Sequence, residues 1–124
     1  MIKLQSVPKP DELTEDFIQQ GIQKFLVNNK AVWNATFLRK AVLDKSFSKC
    51  SYCETLLNEE SKYLEVDHFH PKQLYPQEVL DWENLLPSCK RCNTNKFTHD
   101  TKAEKIINPE KDEPQEHLYL KAYR

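Results

Sequence analysis

Cys50-Ser51-Tyr52-Cys53 and Cys89-Lys90-Arg91-Cys92 form two CxxC pairs, and Asp67-His68, Asn84 and Asn93 lie between or directly beside them. A CxxC turn can aim two sulfurs at one metal, and two such turns close the tetrahedron of a four-thiolate zinc site. Four unrelated buried cysteines, or a single redox CxxC, account less well for the pairing. An Asp carboxylate and an Asn carbonyl are hard oxygen donors, suited to Mg²⁺ or Mn²⁺ rather than to zinc. A histidine beside such a cation can stay neutral near pH 7 and take a proton from water. Asp67 and His68 are consecutive, so a regular strand points them to opposite sides. Both can serve one site if the strand twists or ends there, and His70-Pro71 supplies an ending. Lys72, Lys90, Arg91 and Lys96 surround this set and as a group suit phosphate contact. His70, His99 and His117 read as surface residues, Glu65 as an exposed strand residue, and Tyr52 and Trp82 as core staples.

These residues need a scaffold. Leu13, Phe17, Ile18, Ile22, Phe25 and Leu26 recur at helical spacing, which predicts a helix over 11–29 with Asp11 or Thr14 as N-cap. Phe37, Leu38, Ala41 and Val42 predict a second helix over 35–46, capped by Asn34. Both are read as packing on the metal module. Tyr63–Phe69 is a short β-prone run, 71–81 a loop with a helical turn near 76–80, 82–86 a second strand, and 88–97 a helix. Residues 54–62 read as a turn or hairpin. The 35 residues between the cysteine pairs exceed the roughly 15–20 of a simple zinc ribbon, so a ββα unit is inserted there. The fold expected is α+β: a ββα core clamped by a four-cysteine zinc site, with N-terminal helices. Residues 1–49 form the arm and helices, 50–100 the core, and 101–124 a C-terminal extension. In that extension 117–124 alternates like a strand still running at Arg124, as in a chain cut from a longer one.

Composition narrows the classes. The 124 residues are 39% hydrophobic and 30% charged, so the core is thin and a metal cross-link would help hold it. No apolar run approaches the roughly 18 residues of a membrane span, no signal-peptide core follows Met1, and a cytoplasmic protein is expected. Eighteen basic against nineteen acidic residues give −1 overall. Residues 1–49 carry eight basic and five acidic groups (+3), and residues 50–100 carry five and nine (−4). A positive arm ahead of a cation-binding segment fits that asymmetry.

Asp67-His68-Phe69 with Pro71, Trp82-x-Asn84-Leu85, and Cys89-x-x-Cys92-Asn93-x-x-Lys96 resemble the zinc-bound form of the HNH, or ββα-metal, endonuclease motif over roughly 50–97. The resemblance implies a metal-dependent hydrolase of phosphodiester bonds in DNA. Asp67 and Asn93 would hold one divalent Mg²⁺ or Mn²⁺, His68 would be the general base, and Asn84 would brace the loop that orients it. Many relatives place a histidine at the position of Asp67 and another at that of Phe97, so the pattern is similar to an Asp-His-Asn variant. The alternative reading is a catalytically inactive zinc-dependent binding or assembly module.

A narrower resemblance joins Cys50–Glu54, Asp67–Lys72, Leu85–Cys89, Ile107-Asn108-Pro109 and Glu116–Tyr119 to HNH proteins of retron- and Septu-type anti-phage systems. Those proteins work with an ATPase partner, which implies a complex and a role in defence. Many of them carry Glu-His where this chain has Asp-His.

Overall fold

A computed structural model describes residues 3–57, 64–96 and 99–113. The expected tail strand over 117–124, Phe97 and most of the 54–62 hairpin lie outside the described residues. Two helices come first, α1 (Glu15–Asn28) and α2 (Thr36–Asp44). Thr14, one of the two predicted caps, accepts from the amide of Phe17, and Glu15 and Asp16 complement the positive end of the helix. α1 ends where Asn29 turns into the left-handed region at φ 53°. α2 starts at Ala35 without a side-chain cap; the expected cap, Asn34, instead accepts from Arg39.

Strand β1 (Leu64–His68) pairs antiparallel with β2 (Leu85–Cys89), in a register setting Asp67 opposite Leu86 and His68 opposite Leu85. The second strand falls three residues later than its sequence suggests. Asp81 caps the backbone at Glu83, and Trp82–Asn84 close a 3₁₀ turn before the strand begins. Helix α3 (Lys90–Lys96) follows β2 directly. Strand, loop, strand and helix form the expected ββα unit.

The main core joins both helices to one face of the hairpin: Leu13, Ile22, Phe25, Leu38, Val42, Val66, Leu80 and Leu85 are buried together. Gly21 lets α1 pack closely, since a Cβ there would stand 2.3 Å from the tip of the Leu80 side chain and Leu80 would have to shift. A second cluster gathers Cys50, Leu57, Leu64 and Cys89. Lys45 is fully buried, its ammonium shared by the carbonyls of Trp82 and Leu85 (2.8 Å each) and the carboxylate of Glu110 (2.9 Å). Burial lowers its pKa, and Glu110 opposes that shift. The arm at Leu4 and Gln5 bonds to Pro109 and Lys45, so both ends of the described chain strap the same side of the hairpin. Among the described residues, no helix is long and apolar enough to cross a membrane.

Candidate active site and cysteine cluster

The four cysteines converge. Their Sγ atoms all lie within 4.8 Å of one another, with Cys53 and Cys89 at 3.7 Å. A tetrahedral zinc with sulfurs at about 2.3 Å would hold them about 3.8 Å apart, so the cluster has the dimensions of a closed metal site. Cys50 comes from a turn whose amide bonds Thr55, Cys89 ends β2, and Cys92 lies in α3. The cluster therefore ties the first turn to both the strand and the helix of the ββα unit. Burial pushes the Cys89 and Cys92 thiols up, so metal capture here would release protons.

Asp67 and His68 point to opposite faces of β1, and β1 ends at His68. The His68 ring is buried edge-on against Trp33, with centroids 4.5 Å apart, and its Nε2 meets the carbonyl oxygen of Val79 at 3.0 Å. A carbonyl only accepts, so Nε2 carries the proton and Nδ1 of the neutral ring keeps the lone pair. Burial, helped by Lys72 and Lys96, lowers the pKa of His68 to about 4, although the Val79 bond opposes this. The imidazole is therefore neutral at pH 7, the state a general base requires.

Asn84 braces the loop that presents Val79. Its Oδ1 accepts from the His70 amide at 2.7 Å, and its Nδ2 donates to the carbonyls of His70 (3.2 Å) and Glu78 (3.1 Å). All three bonds close the 70–84 loop onto one buried side chain. His70 is half-buried rather than free on the surface, because its Nδ1 meets the Thr101 hydroxyl.

On the opposite face Asp67 is 2% exposed. Tyr52 donates its hydroxyl to Oδ2, and the Lys96 ammonium stands 3.4 Å from Oδ1 and 2.8 Å from the His68 carbonyl. Burial raises the Asp67 pKa, against the pull of Lys96 and Tyr52. Lys96 thus departs from its expected phosphate-contact role: a buried carboxylate needs a counter-charge, and Lys96 supplies it. Asn93 sits on the same α3 face but donates to Glu65, at 3.4 Å, and the described contacts do not join it to Asp67. Glu65 is half-buried by this contact instead of exposed. Lys90 and Arg91 are exposed in the first turn of α3.

A cleft of about 310 Å³ opens beside His68, along the edge of β1 that β2 leaves free. His68, Lys72 and Asn93 line it, together with Glu65, Trp33 and Arg39. Trp33 and Arg39 were not singled out by the sequence, because each sits in an ordinary amphipathic or loop context. Tyr52 packs against two core clusters as expected, and its hydroxyl also reaches Asp67, a role its place inside a CxxC turn did not reveal.

A family model described as HNH endonuclease matches residues 50–98. The chain carries an HNH endonuclease domain. It is 48% identical over 123 residues to a Septu protein PtuB of Bacillus thuringiensis, an alignment covering 99% of this chain and 48% of that protein. A Septu protein PtuB of Bacillus mycoides (strain KBAB4) is 34% identical over 113 residues, covering 66% of this chain and 38% of that protein. The chain thus spans about half the length of the first of these curated relatives and less of the second. No solved structure gives a significant match. The HNH domain begins at Cys50 and ends just beyond α3, so it contains both CxxC pairs and the whole ββα unit.

Proposed function

We propose that this chain is the catalytic part of an HNH endonuclease that hydrolyses phosphodiester bonds in DNA as one component of an anti-phage defence system. The observation that carries the reading is His68: a neutral imidazole, fixed by the Val79 carbonyl, lining a cleft that also holds Lys72 and Asn93. In that arrangement Nδ1 accepts a proton from water as the water oxygen bonds to phosphorus, the bond from phosphorus to the 3′ oxygen breaks, and that oxygen takes a proton from solvent, giving a 5′-phosphate and a 3′-hydroxyl. Asn84 keeps the loop carbonyl in place, and Lys72 contributes positive charge to the bound strand.

Asp67 and Asn93 would hold the catalytic Mg²⁺ or Mn²⁺. The donor chemistry fits: hard oxygens on the α3 side of β1, one of them a buried carboxylate that already attracts a cation, Lys96. Such an ion supplies stabilisation of the charge that develops on the leaving oxygen. The four cysteines would hold a structural zinc, an assignment supported by sulfur spacing and by thiolate softness.

The defence role rests on the likeness to the two Septu proteins, and an ATPase companion on the resemblance of the sequence motifs alone. A zinc-dependent binding module without activity is the second reading. It is favoured by one observation, that both Asp67 oxygens are engaged by Tyr52 and Lys96 while Asn93 turns to Glu65. Plasmid nicking in Mg²⁺ or Mn²⁺, with wild type beside His68→Ala, separates the two. Metal-dependent cleavage lost in the variant is expected; binding without cleavage by the wild type would replace the first reading with the second.

A further inference from the structure

The N-terminal helices do more than cover the core. Trp33, Asn34 and Arg39, from the α1–α2 connection and α2, line the same cleft as His68. Arg39 is held there from two sides: one guanidinium nitrogen donates to the Leu64 carbonyl at 3.0 Å and the other to Asn34 Oδ1 at 3.3 Å. These bonds use two of the five N–H donors of a rigid fork whose geometry suits phosphate. On the other wall the Lys72 ammonium lies 5.6 Å from the centre of the Trp33 ring, within reach of a cation–π attraction. Arg39, held at the Leu64 end of β1, and Lys72, over the Trp33 ring that packs on His68, thus line the same cleft. Among the described residues of the cleft lining, two cations, Arg39 and Lys72, face one carboxylate, Glu65, so the balance of charge is positive.

We propose that α2 and the loop before it form one wall of a phosphate-binding subsite, in which Arg39 and Lys72 grip backbone phosphates of the strand whose reacting phosphodiester lies at His68. The inference rests on the nuclease reading and extends it to residues outside the HNH domain. Two fixed cations and the side-chain amide of Asn34 select a phosphate over a neutral ligand. An anchor next to the reacting bond restricts the motion of the strand there, which favours in-line attack. A phosphate contact also carries a signature that packing lacks, because each phosphate neutralised releases counterions.

The test is binding of a fluorescein-labelled DNA duplex by anisotropy, in Mg²⁺ and in a His68→Ala background that prevents cleavage. Salt is varied between about 50 and 200 mM. Arg39→Gln and Lys72→Gln should each weaken binding several-fold and lower the slope of log affinity against log salt by about 1. Arg39→Lys should restore most of the slope. Loss of the Leu64 clamp alone would lower the melting temperature of Arg39→Gln and leave its salt slope at the wild-type value. If the parent binds DNA and both Gln variants keep its affinity and slope, the subsite is wrong and the nuclease reading stands. If the parent binds no DNA at any salt and the wild type does not nick plasmid, both are wrong.

Discussion

The Tyr52 hydroxyl donates to Asp67, so a side chain inside the first CxxC turn holds the buried carboxylate near the end of β1. The cysteine cluster and the acidic side of the candidate site are therefore coupled through one hydrogen bond. Burial raises the pKa of Tyr52 well above its ordinary value, with the Asp67 charge adding to the shift, and this keeps the phenol a donor across the physiological range. The second partner of Asp67, Lys96, lies on the helix that the second CxxC starts. Both partners of the carboxylate are thus carried by elements that the four cysteines join.

Tyr52→Phe removes that donor and leaves a buried carboxylate short of one bond. Leaving a buried polar group unsatisfied costs about 1–3 kcal/mol, more for a charged one, so the variant should unfold at clearly lower urea. Its affinity for Mn²⁺, followed by paramagnetic resonance, should fall if Asp67 is a ligand. A variant as stable as wild type would show that Tyr52 acts only by packing.

The histidine sets a pH dependence of stability. Burial lowers His68 to about 4 in the folded chain from an ordinary 6.5. Between those values the unfolded chain binds more protons, so stability rises with pH and is lost as pH falls from 6.5 towards 4. The full shift corresponds to on the order of 3 kcal/mol. His70, also lowered by burial, contributes with the same sign, so the comparison is with His68→Asn. Denaturant melts at pH 5 and pH 7.5 should differ much less in His68→Asn than in wild type. Equal pH sensitivity of the two proteins would mean that His68 is solvated and free to ionise.

The metal prediction follows from the second core cluster, in which two of the four buried members are cysteines. Metal analysis should find about one zinc per chain, and chelation or Cys89→Ser should melt the ββα unit, since small domains of this kind depend on their ion. Circular dichroism with and without chelator measures it. A zinc-free chain with four intact cysteines and an unchanged melting curve would refute the assignment.

Sequence periodicity made both N-terminal helices legible, since their apolar positions bury one stripe and Thr14 supplies a standard cap. The cysteine pairs were legible because their spacing alone restricts where sulfurs can meet. The start of β2 was not: Trp82 is strongly β-prone, but the Asp81 cap holds it in a 3₁₀ turn instead. The partners of the site residues were the least legible. That Lys96 neutralises Asp67, or that Arg39 reaches the Leu64 carbonyl, depends on which faces pack together, and neither leaves a local pattern in the chain.

Asn84 offers a test of positioning separate from proton transfer. It does not line the cleft, and its three side-chain bonds go to the His70 and Glu78 backbone rather than to His68. Val79 follows Glu78 directly, and its carbonyl fixes the His68 ring. Asn84→Asp keeps the acceptor for the His70 amide and loses both donors, so the loop should stay closed at His70 and loosen at Glu78. A displacement near 1 Å at a reacting group can cost about 100-fold in rate, so kcat for plasmid nicking should fall by ten- to a hundredfold while KM changes little. The acid limb of the pH–rate profile should also move upward, because a His68 ring that loses its burial recovers an ordinary pKa. His68→Ala has no such limb to move. Full activity in Asn84→Asp with an unshifted profile would show that the Val79 carbonyl is held without Asn84.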